Sequence, residues 1–328
     1  MDNLTHTLTG LMLSRAGLNR WCPRATPILL LAVNAPDADI VTALWTALDY
    51  LDSHRGITHS LAAAPVMAAL AVAIVRIAGR KSFPWLRALL TGLVGVLSHL
   101  AMDWTNTYGV RLLLPFSSQW LQLHITNVVD IWIWTVLILC IVGPLLGRLV
   151  SSEIGAKPGS GRGSAVFALL FLVLYTGIRY TLHERAVNTL NSHVYEGAVP
   201  RRVAAFPHFA NPFLWIGYVE NDRFVIVQRF SLLSAFDPAG GEVFYKPTPS
   251  PALDAARRTA TFTRYLRFAQ FAFFQLTPVE RPEGGVRVEA MDIRFGQPSA
   301  PRFVATAILD PSLRVVEESY TFGPLRPR

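Results

Sequence analysis

The chain has 328 residues, of which 52% are hydrophobic and only 16% are charged. Soluble domains carry roughly a quarter charged residues, so this composition excludes an ordinary soluble protein and indicates a membrane protein. The formal net charge of +8 does not predict nucleic acid as a partner, because the basic residues gather in short loops between apolar segments, where they set membrane topology. Cys22 and Cys140 are isolated and form neither a metal-binding spacing nor a disulfide framework.

The N-terminal half contains apolar segments that predict helices in the membrane. A first helix begins at Asn3 or Thr5 and runs to about Leu18. A longer apolar run, 25–48, is interrupted at 34–39, because proline breaks or kinks a helix and two aspartates cannot face lipid. Further spans of about 20 residues are predicted at 60–79, 85–102, 128–149 and 165–182.

The pattern changes after Arg185. Short runs with period-two alternation predict strands, separated by Gly, Pro, Asn and Asp turn signals, at 223–228, 286–295, 303–309 and 315–322. The stretch 252–274 instead predicts one helix packed on the sheet. We therefore predict a multi-pass α-helical membrane domain over residues 1–183, followed by a soluble, mostly antiparallel β domain of the α+β class over residues 184–328.

Basic residues fall in alternate loops, which predicts the topology. The loops 49–59 and 105–127 hold one arginine each, Arg55 and Arg111. The other three loops hold ten basic residues: Arg15, Arg20, Arg24, Arg76, Arg80, Lys81, Arg87, Arg148, Lys157 and Arg162. Because Lys and Arg in short loops are retained on the cytoplasmic side, we expect these three loops in the cytoplasm and both termini outside.

Polar residues collect at the ends of the apolar segments. The stretch 54–60, His-Arg-Gly-Ile-Thr-His-Ser, lies at the N-terminal end of the third apolar segment. Such groups are costly beside hydrocarbon, so a chain that keeps them there is expected to use them. In the predicted topology Asp37 and Asp39 lie deeper, in the broken second segment. The groups predicted to meet at the same membrane face are His6, His59, His99, Asp103 and Asp130.

This set of side chains has the chemistry of a metal site. His99 and Asp103 are spaced i, i+4 on one helix face, so both can bind one ion. Mixed histidine and aspartate ligands suit Zn²⁺ best, with Mn²⁺ or Fe²⁺ as alternatives and one or two ions. Asp37 and Asp39 can bridge two ions or divide the roles of ligand and base. Such a site supplies hydroxide for hydrolysis, and two ions would stabilise a phosphoryl transition state.

Two further residues are candidates for catalysis. Arg55 can hold a phosphate or carboxylate of the substrate with two hydrogen bonds. His54 either belongs to the site or lies outside the coordination shell and orients a metal ligand by a hydrogen bond. A lone histidine at a helix end is more often structural, and we interpret His124, His183, His193 and His208 in that way.

A series of motifs resembles the YdjM-like family of bacterial and archaeal inner-membrane proteins, described as metal-dependent hydrolases. In chain order the motifs are 1–6 (MDNLTH), 34–39 (NAPDAD), 54–60 (HRGITHS), 98–103 (SHLAMD), 107–109 (TYG), 114–117 (LPFS) and 130–132 (DIW). The resemblance covers roughly residues 1–150 and implies a metal site built from His6, Asp37, Asp39, His59, His99, Asp103 and Asp130. The His99–Asp103 pair is also similar to a motif of zinc-dependent phospholipase C and related nucleases, which favours phosphodiester substrates.

Two functional hypotheses follow from these patterns. The first is a hydrolase at the outer face of the inner membrane that acts on a lipid or lipid-linked phosphoester, with the C-terminal domain closing over the site. The second is a non-catalytic membrane protein, in which the cluster is a structural metal site or an ion pathway and the outer domain binds a partner. A structural site closes its coordination shell, whereas a catalytic site leaves one position open to water.

Overall fold

The computed structural model describes residues 1–79, 83–155 and 159–323, so the basic loop residues Arg80, Lys81 and Lys157 lie outside the described residues. The chain divides into two compact units. The first unit comprises Met1–Asp39, Arg55–His183 and Pro207–Pro212. The second unit comprises Ile40–His54, Glu184–Phe206 and Phe213–Arg328.

Helices build the N-terminal half, as the hydrophobic pattern predicted. In chain order they are α1 (Asn3–Leu13), α2 (Asn19–Trp21), α3 (Ala25–Ala32), α4 (Ala47–Ser53), α5 (Ala64–Gly79), α6 (Trp85–Thr105), α7 (Ile131–Glu153) and α8 (Arg162–Asn191). The Asp2 carboxylate caps α1 by accepting a hydrogen bond from the Thr5 backbone N–H at 3.0 Å. A π-helical turn, Ser14–Leu18, then continues α1 to the predicted end.

The predicted break in the second segment is present. Helix α3 ends at Ala32, and a 3₁₀-helix, Pro36–Leu44, begins at the proline. Proline lacks the N–H that an α-helix needs at this point, so the chain cannot continue α3. The break leaves Asp37 and Asp39 in the first turn of the 3₁₀-helix, and both are buried.

Among the described residues, three helices are long and apolar enough to cross a membrane: Trp85–Thr105, Ile131–Ser151 and Arg162–Asn191. Two bent helix pairs, Ala25–Ala32 with Pro36–Leu44 and Ala47–His59 with Ala64–Gly79, raise the number to five if each pair counts as one span. The predicted number of six included α1, which has only 11 residues. A span needs about 20 residues, so α1 is too short to cross alone.

Small residues let the helices around the buried polar groups approach closely. A Cβ atom added at Gly95 of α6 would lie 3.0 Å from the Cβ of Ala32, and one added at Gly10 of α1 would lie 2.9 Å from a methyl of Val33. Small residues at such contacts allow backbones to pack closely in membrane helices. The close approach brings the main chain at the end of α3 against the face of α6 that carries His99.

The second unit contains two four-stranded antiparallel sheets, in the orders β1-β2-β3-β4 and β5-β6-β7-β8. The strands are β1 (Arg202–Pro207), β2 (Leu214–Glu220), β3 (Phe224–Ser231), β4 (Glu242–Tyr245), β5 (Ala272–Val279), β6 (Gly285–Asp292), β7 (Phe303–Leu309) and β8 (Val315–Phe322). Side chains from both sheets form one buried core, which includes Phe206, Tyr218, Val225, Phe273, Met291 and Val304. The predicted fold class, a helical membrane domain followed by an antiparallel α+β domain, is confirmed.

The prediction of a single helix over 252–274 is wrong. Two short helices, α9 (Pro251–Arg257) and α10 (Ala260–Phe268), are followed by strand β5. The break comes at Thr259, whose side chain accepts a hydrogen bond from the Phe262 backbone N–H at 3.2 Å and so begins a new helix. Beyond α10, alternate aromatic residues Phe271 and Phe273 enter the core of the sheets, which favours a strand.

Candidate metal centre

Four buried side chains of the first unit form a group that can hold a metal ion. Asp37 comes from the 3₁₀-helix after α3, His59 from a short 3₁₀-helix at Ile57–His59, and His99 with Asp103 from adjacent turns of α6. One ligand atom from each residue lies within 4.8 Å of all the others. We call Asp37, His59, His99 and Asp103 the four-ligand group. Asp37 is 8% exposed and the other three are fully buried.

The separations between these atoms suit a small ion. The two Nε2 atoms of His59 and His99 are 3.1 Å apart, and Asp37 Oδ1 lies 3.3 Å from the first and 3.8 Å from the second. Asp103 Oδ2 lies 3.5 Å from His59 Nε2 and 3.4 Å from His99 Nε2. Four ligands at zinc–ligand distances in a tetrahedron are roughly 3.3–3.6 Å apart. The group therefore has the dimensions of a coordination shell.

Hydrogen bonds behind the two histidines aim their lone pairs into the group. His99 Nδ1 donates to the carbonyl oxygen of Val33 at 2.7 Å. His59 Nδ1 lies 3.2 Å from the acceptor Asp39 Oδ2 and 3.1 Å from the Thr58 hydroxyl, which itself donates to the same carboxylate oxygen. Each neutral imidazole then carries a lone pair on Nε2, and these two nitrogens face each other. Two lone pairs at 3.1 Å repel unless a proton or a cation lies between them. This donor set fits a divalent metal ion.

The two oxygens of Asp103 have different environments. Oδ1 lies 3.1 Å from Arg55 Nη2 and 3.4 Å from Asn106 Nδ2, and it also contacts the amino group of Met1. Oδ2 accepts no hydrogen bond among the described residues and points at the two histidine rings. The Arg55 guanidinium and the Met1 amino group therefore hold the carboxylate in place through Oδ1, and Oδ2 remains available to a metal ion.

Arg55 is fixed by the protein on several sides. Its Nη1 donates to Asn106 Oδ1 at 3.0 Å and to the carbonyl oxygen of Gly109 at 2.9 Å, and its guanidinium lies over the Tyr108 ring. The side chain is 2% exposed. These contacts favour a role in positioning Asp103, and the substrate contact that the sequence predicted for Arg55 stays a prediction.

Asp39 lies behind His59 and also anchors the loop that precedes it. Its Oδ2 atom accepts hydrogen bonds from the Arg55 backbone N–H at 2.9 Å and from the Thr58 hydroxyl at 3.1 Å. A carboxylate that orients a metal-binding histidine in this way fixes its tautomer. The geometry places Asp39 in this supporting position relative to His59.

We expect Asp39→Asn to weaken metal binding about 10–100-fold, the usual cost of changing a group that orients a ligand. The amide is uncharged and stabilises the Nδ1–H tautomer of His59 less well than the carboxylate does. Titration of metal-free protein with Zn²⁺ measures the effect. Asp222→Asn, at an exposed position of the second unit, is the control and should bind like the wild type. An unchanged affinity in Asp39→Asn would contradict the supporting role.

His6 of α1 borders the group from one side. Its ring stacks on the His99 ring with centroids 3.8 Å apart, and its Nε2 lies 3.4 Å from Asp103 Oδ1. The side chain is buried, and neither ring nitrogen makes a hydrogen bond among the described residues. Buried polar atoms usually have a partner, so these nitrogens also fit a site that binds an ion.

Comparison with known proteins agrees with the location of this group. The family model of the YdjM inner membrane protein matches residues 1–186. The chain belongs to this family. It is also similar to the uncharacterized protein YfhP of Bacillus subtilis (strain 168), with 23% identity over 335 residues, 98% of this chain and 94% of YfhP. No solved structure gives a significant match.

In this member of the YdjM family, Asp130 has a different environment from the four-ligand group. It is the N-cap of α7, where Oδ1 accepts from the backbone N–H groups of Trp132 and Ile133 at 3.1 and 3.3 Å. The Tyr175 hydroxyl contacts both carboxylate oxygens, at 3.0 and 3.2 Å. The structure thus gives Asp130 a helix-capping role, which an aspartate directly before an apolar run also indicates.

His54 belongs to the second unit, at the C-terminal end of α4. Its ring stacks on the Tyr50 ring with centroids 4.6 Å apart. A catalytic role for His54 stays a prediction.

Sequence reasoning missed the part that Asn106 plays. Asn106 follows directly after α6, and its Oδ1 accepts hydrogen bonds from the Tyr108 and Gly109 backbone N–H groups at 2.9 and 3.2 Å. The same oxygen also accepts from Arg55, and so links the end of α6 to the guanidinium that holds Asp103. Its position three residues after the ligand Asp103, directly after the end of the same helix, was the available signal.

Proposed function

We propose that this inner-membrane protein is a metal-dependent hydrolase that acts on a lipid or lipid-linked phosphoester at the outer face of the membrane. One observation carries the proposal: the Nε2 atoms of His59 and His99 face each other at 3.1 Å beside two carboxylates, with both Nδ1 atoms already engaged. Mixed nitrogen and oxygen donors favour Zn²⁺, with Mn²⁺ or Fe²⁺ as alternatives.

The residues of the metal centre would have different roles in this reaction. Asp37, His59, His99 and Asp103 would hold the ion, and His6 is placed to complete the ligand set. A bound divalent ion would supply hydroxide at neutral pH by lowering the pKa of water. The other residues keep the ligands in place, since Arg55 and Asn106 hold Asp103 while Asp39 and the Val33 carbonyl orient the two histidines. Asp37 is the most exposed ligand, so we propose that substrate approaches from its side.

Hydrolysis is tested with purified full-length protein and a panel of phosphomonoesters, phosphodiesters and lipid-linked phosphoesters. We expect product release with at least one class, loss of activity in EDTA, and recovery after addition of Zn²⁺, Mn²⁺ or Fe²⁺. His99→Ala should stay inactive after the same addition. A protein that binds metal but releases no product from any class would contradict the proposed activity.

The outer-face location is proposed from the distribution of basic residues. Arg76 in the last turn of α5 and Arg87 in the first turn of α6 flank the loop between these helices, and Arg148 of α7 and Arg162 at the start of α8 flank the next such loop. These loops are expected in the cytoplasm, so α8 would lead outward. This argument does not depend on whether α1 crosses the membrane.

Labelling of intact cells tests this topology. Cys22 and Cys140 are buried, so an impermeant thiol reagent should report an introduced cysteine. Glu283→Cys, in a turn of the second unit, should react in intact cells, whereas Ser160→Cys should react only after lysis. The reverse pattern would place the second unit in the cytoplasm and end the outer-face proposal.

A specific observation supports a second candidate function, a structural metal site in a non-catalytic protein. Four protein ligands can close a tetrahedral shell, as they do in structural zinc sites, and three members of the group are fully buried. X-ray absorption of the zinc-loaded protein distinguishes the two functions. A shell made of protein atoms alone would favour the structural function, and a bound water would favour the hydrolase.

A further inference from the structure

A cavity of about 330 Å³ lies in the first unit between α1, α6, α7 and α8. This volume is at the lower end of the roughly 300–1,000 Å³ that ligand sites enclose, so the cavity suits one narrow guest. Its lining is almost wholly apolar and includes Leu13, Met102, Ile133, Leu169 and Leu172.

The hydroxyl groups in the lining are turned away from the guest. Each donates a hydrogen bond to a main-chain carbonyl of its own helix at 2.7 or 2.8 Å. These residues are Thr9, Ser98, Thr105 and Thr176. They therefore present carbon atoms to the cavity. A guest with polar groups along its length would give up hydrogen bonds with water and gain none here, at a cost of about 1–3 kcal/mol for each group. The chemistry of the lining selects a hydrocarbon.

The rim of the cavity is accessible from the outside of the helices. Val173 of α8 is 69% exposed and Ala101 of α6 is also exposed. Both belong to helices long and apolar enough to cross a membrane, and the outer surface of such a helix faces lipid. A guest would therefore enter from the lipid phase, where hydrocarbon chains are the abundant species.

The cavity and the four-ligand group share two turns of α6. Ser98 and Met102 line the cavity, and each is followed directly in the chain by a ligand, His99 and Asp103 respectively. Successive residues of an α-helix are rotated by about 100°. The helix thus carries the ligands on one face and part of the cavity wall on an adjacent face, at the same height.

We infer that this cavity binds one hydrocarbon chain of the lipid phosphoester whose head group is hydrolysed at the metal centre. The inference rests on the proposed hydrolase function for the identity of the reaction, and it narrows the substrate class to lipids with a chain that can leave the bilayer and lie between α6 and α8. Soluble phosphoesters would lack this contact and would bind more weakly.

A photoreactive probe tests the chain site without depending on hydrolysis. Dodecyl phosphate with a diazirine on its chain is irradiated with full-length protein in lipid nanodiscs, and labelled peptides are located by mass spectrometry. We expect labels to concentrate in 98–105 and 169–176. Ala101→Phe and Thr176→Phe place a ring in the cavity and should each lower this labelling about tenfold. Leu139→Phe, at an exposed position of α7, adds the same ring elsewhere and should change nothing.

Kinetics then connect the cavity to the reaction. If the wild type hydrolyses a long-chain phosphoester, the two cavity variants should raise its KM about tenfold, whereas Leu139→Phe should leave kcat and KM for the same substrate unchanged. Labels spread evenly over all outward helix faces, or variants that label like the wild type, would overturn the inference while metal-dependent hydrolysis still stands. If labels concentrate in 98–105 and 169–176 but the protein binds no metal, the hydrocarbon-chain site stands and the proposed hydrolase function is overturned.

Discussion

His99→Ala is expected to purify without bound metal. The variant loses one of four ligands, and with it the ring on which His6 stacks. Loss of a group that only orients a ligand typically weakens metal binding 10–100-fold, so loss of a ligand should cost more than about 100-fold. Elemental analysis of the dialysed protein measures metal per chain. We expect bound metal in the wild-type protein and a metal content below detection in His99→Ala.

Thermal unfolding provides a second measurement of the same effect. A metal that binds only the folded state raises Tm, so EDTA should lower Tm of the wild type and leave that of His99→Ala unchanged. His193→Ala removes a histidine of the second unit, whose Nδ1 lies 2.7 Å from the Thr189 carbonyl oxygen, and should retain full metal content. Circular dichroism establishes that the helices are intact. A folded His99→Ala protein with wild-type metal content would exclude the four-ligand group as the metal centre.

Arg55→Met is expected to destabilise the protein strongly. The guanidinium lies 3.1 Å from Asp103 Oδ1, and both side chains are buried. Removing one partner of a buried ion pair typically costs about 3–5 kcal/mol, and in this variant Asp103 loses one cationic contact while that with the Met1 amino group remains. We expect this loss in the unfolding free energy of the metal-free protein, and a smaller loss in the metal-loaded protein, where the ion compensates part of the charge. Denaturant unfolding with and without metal measures both.

Two further variants establish what Arg55 does. Arg55→Lys keeps the charge but lacks the planar fork that reaches Asp103, Asn106 and Gly109 together, so its stability should be intermediate. Arg111→Met is the control, because that arginine lies over the Trp120 ring and should affect stability less. If Arg55→Met kept wild-type stability and metal affinity but raised KM, Arg55 would be the substrate contact that the sequence predicted.

The features encoded within a short window were predictable. The i, i+4 spacing of His99 and Asp103 puts both on one helix face, and Pro36 requires a break after α3. The length of the apolar runs predicted α6, α7 and α8, and their order with the histidine and aspartate motifs predicted the family. Alternation over a few residues likewise predicted β3, β6, β7 and β8. Each of these depends on neighbours along the chain, which a sequence displays directly.

The single helix expected over 252–274 shows where local reasoning failed. The segment is apolar and rich in helix-forming residues, but Thr259 begins a new helix and Phe271 and Phe273 pack into the core of the two sheets. Their burial depends on strands more than ten residues away, so tertiary packing overrides local propensity. The same reason explains why the sequence did not indicate β1, β2, β4 and β5.

Only the tertiary structure distinguished the roles of the polar residues. Asp37 and Asp39 are two positions apart and chemically identical, yet one faces both histidine Nε2 atoms and the other lies behind His59. Arg55 and Asp103 meet across 48 residues of chain, and the Val33 carbonyl reaches His99 across 66. The sequence by itself determined which chemical groups the membrane segments carry and that they gather near one place. Which oxygen or nitrogen faces the metal depends on helix rotation and close packing at Gly95, and these follow from contacts between segments that no local pattern encodes.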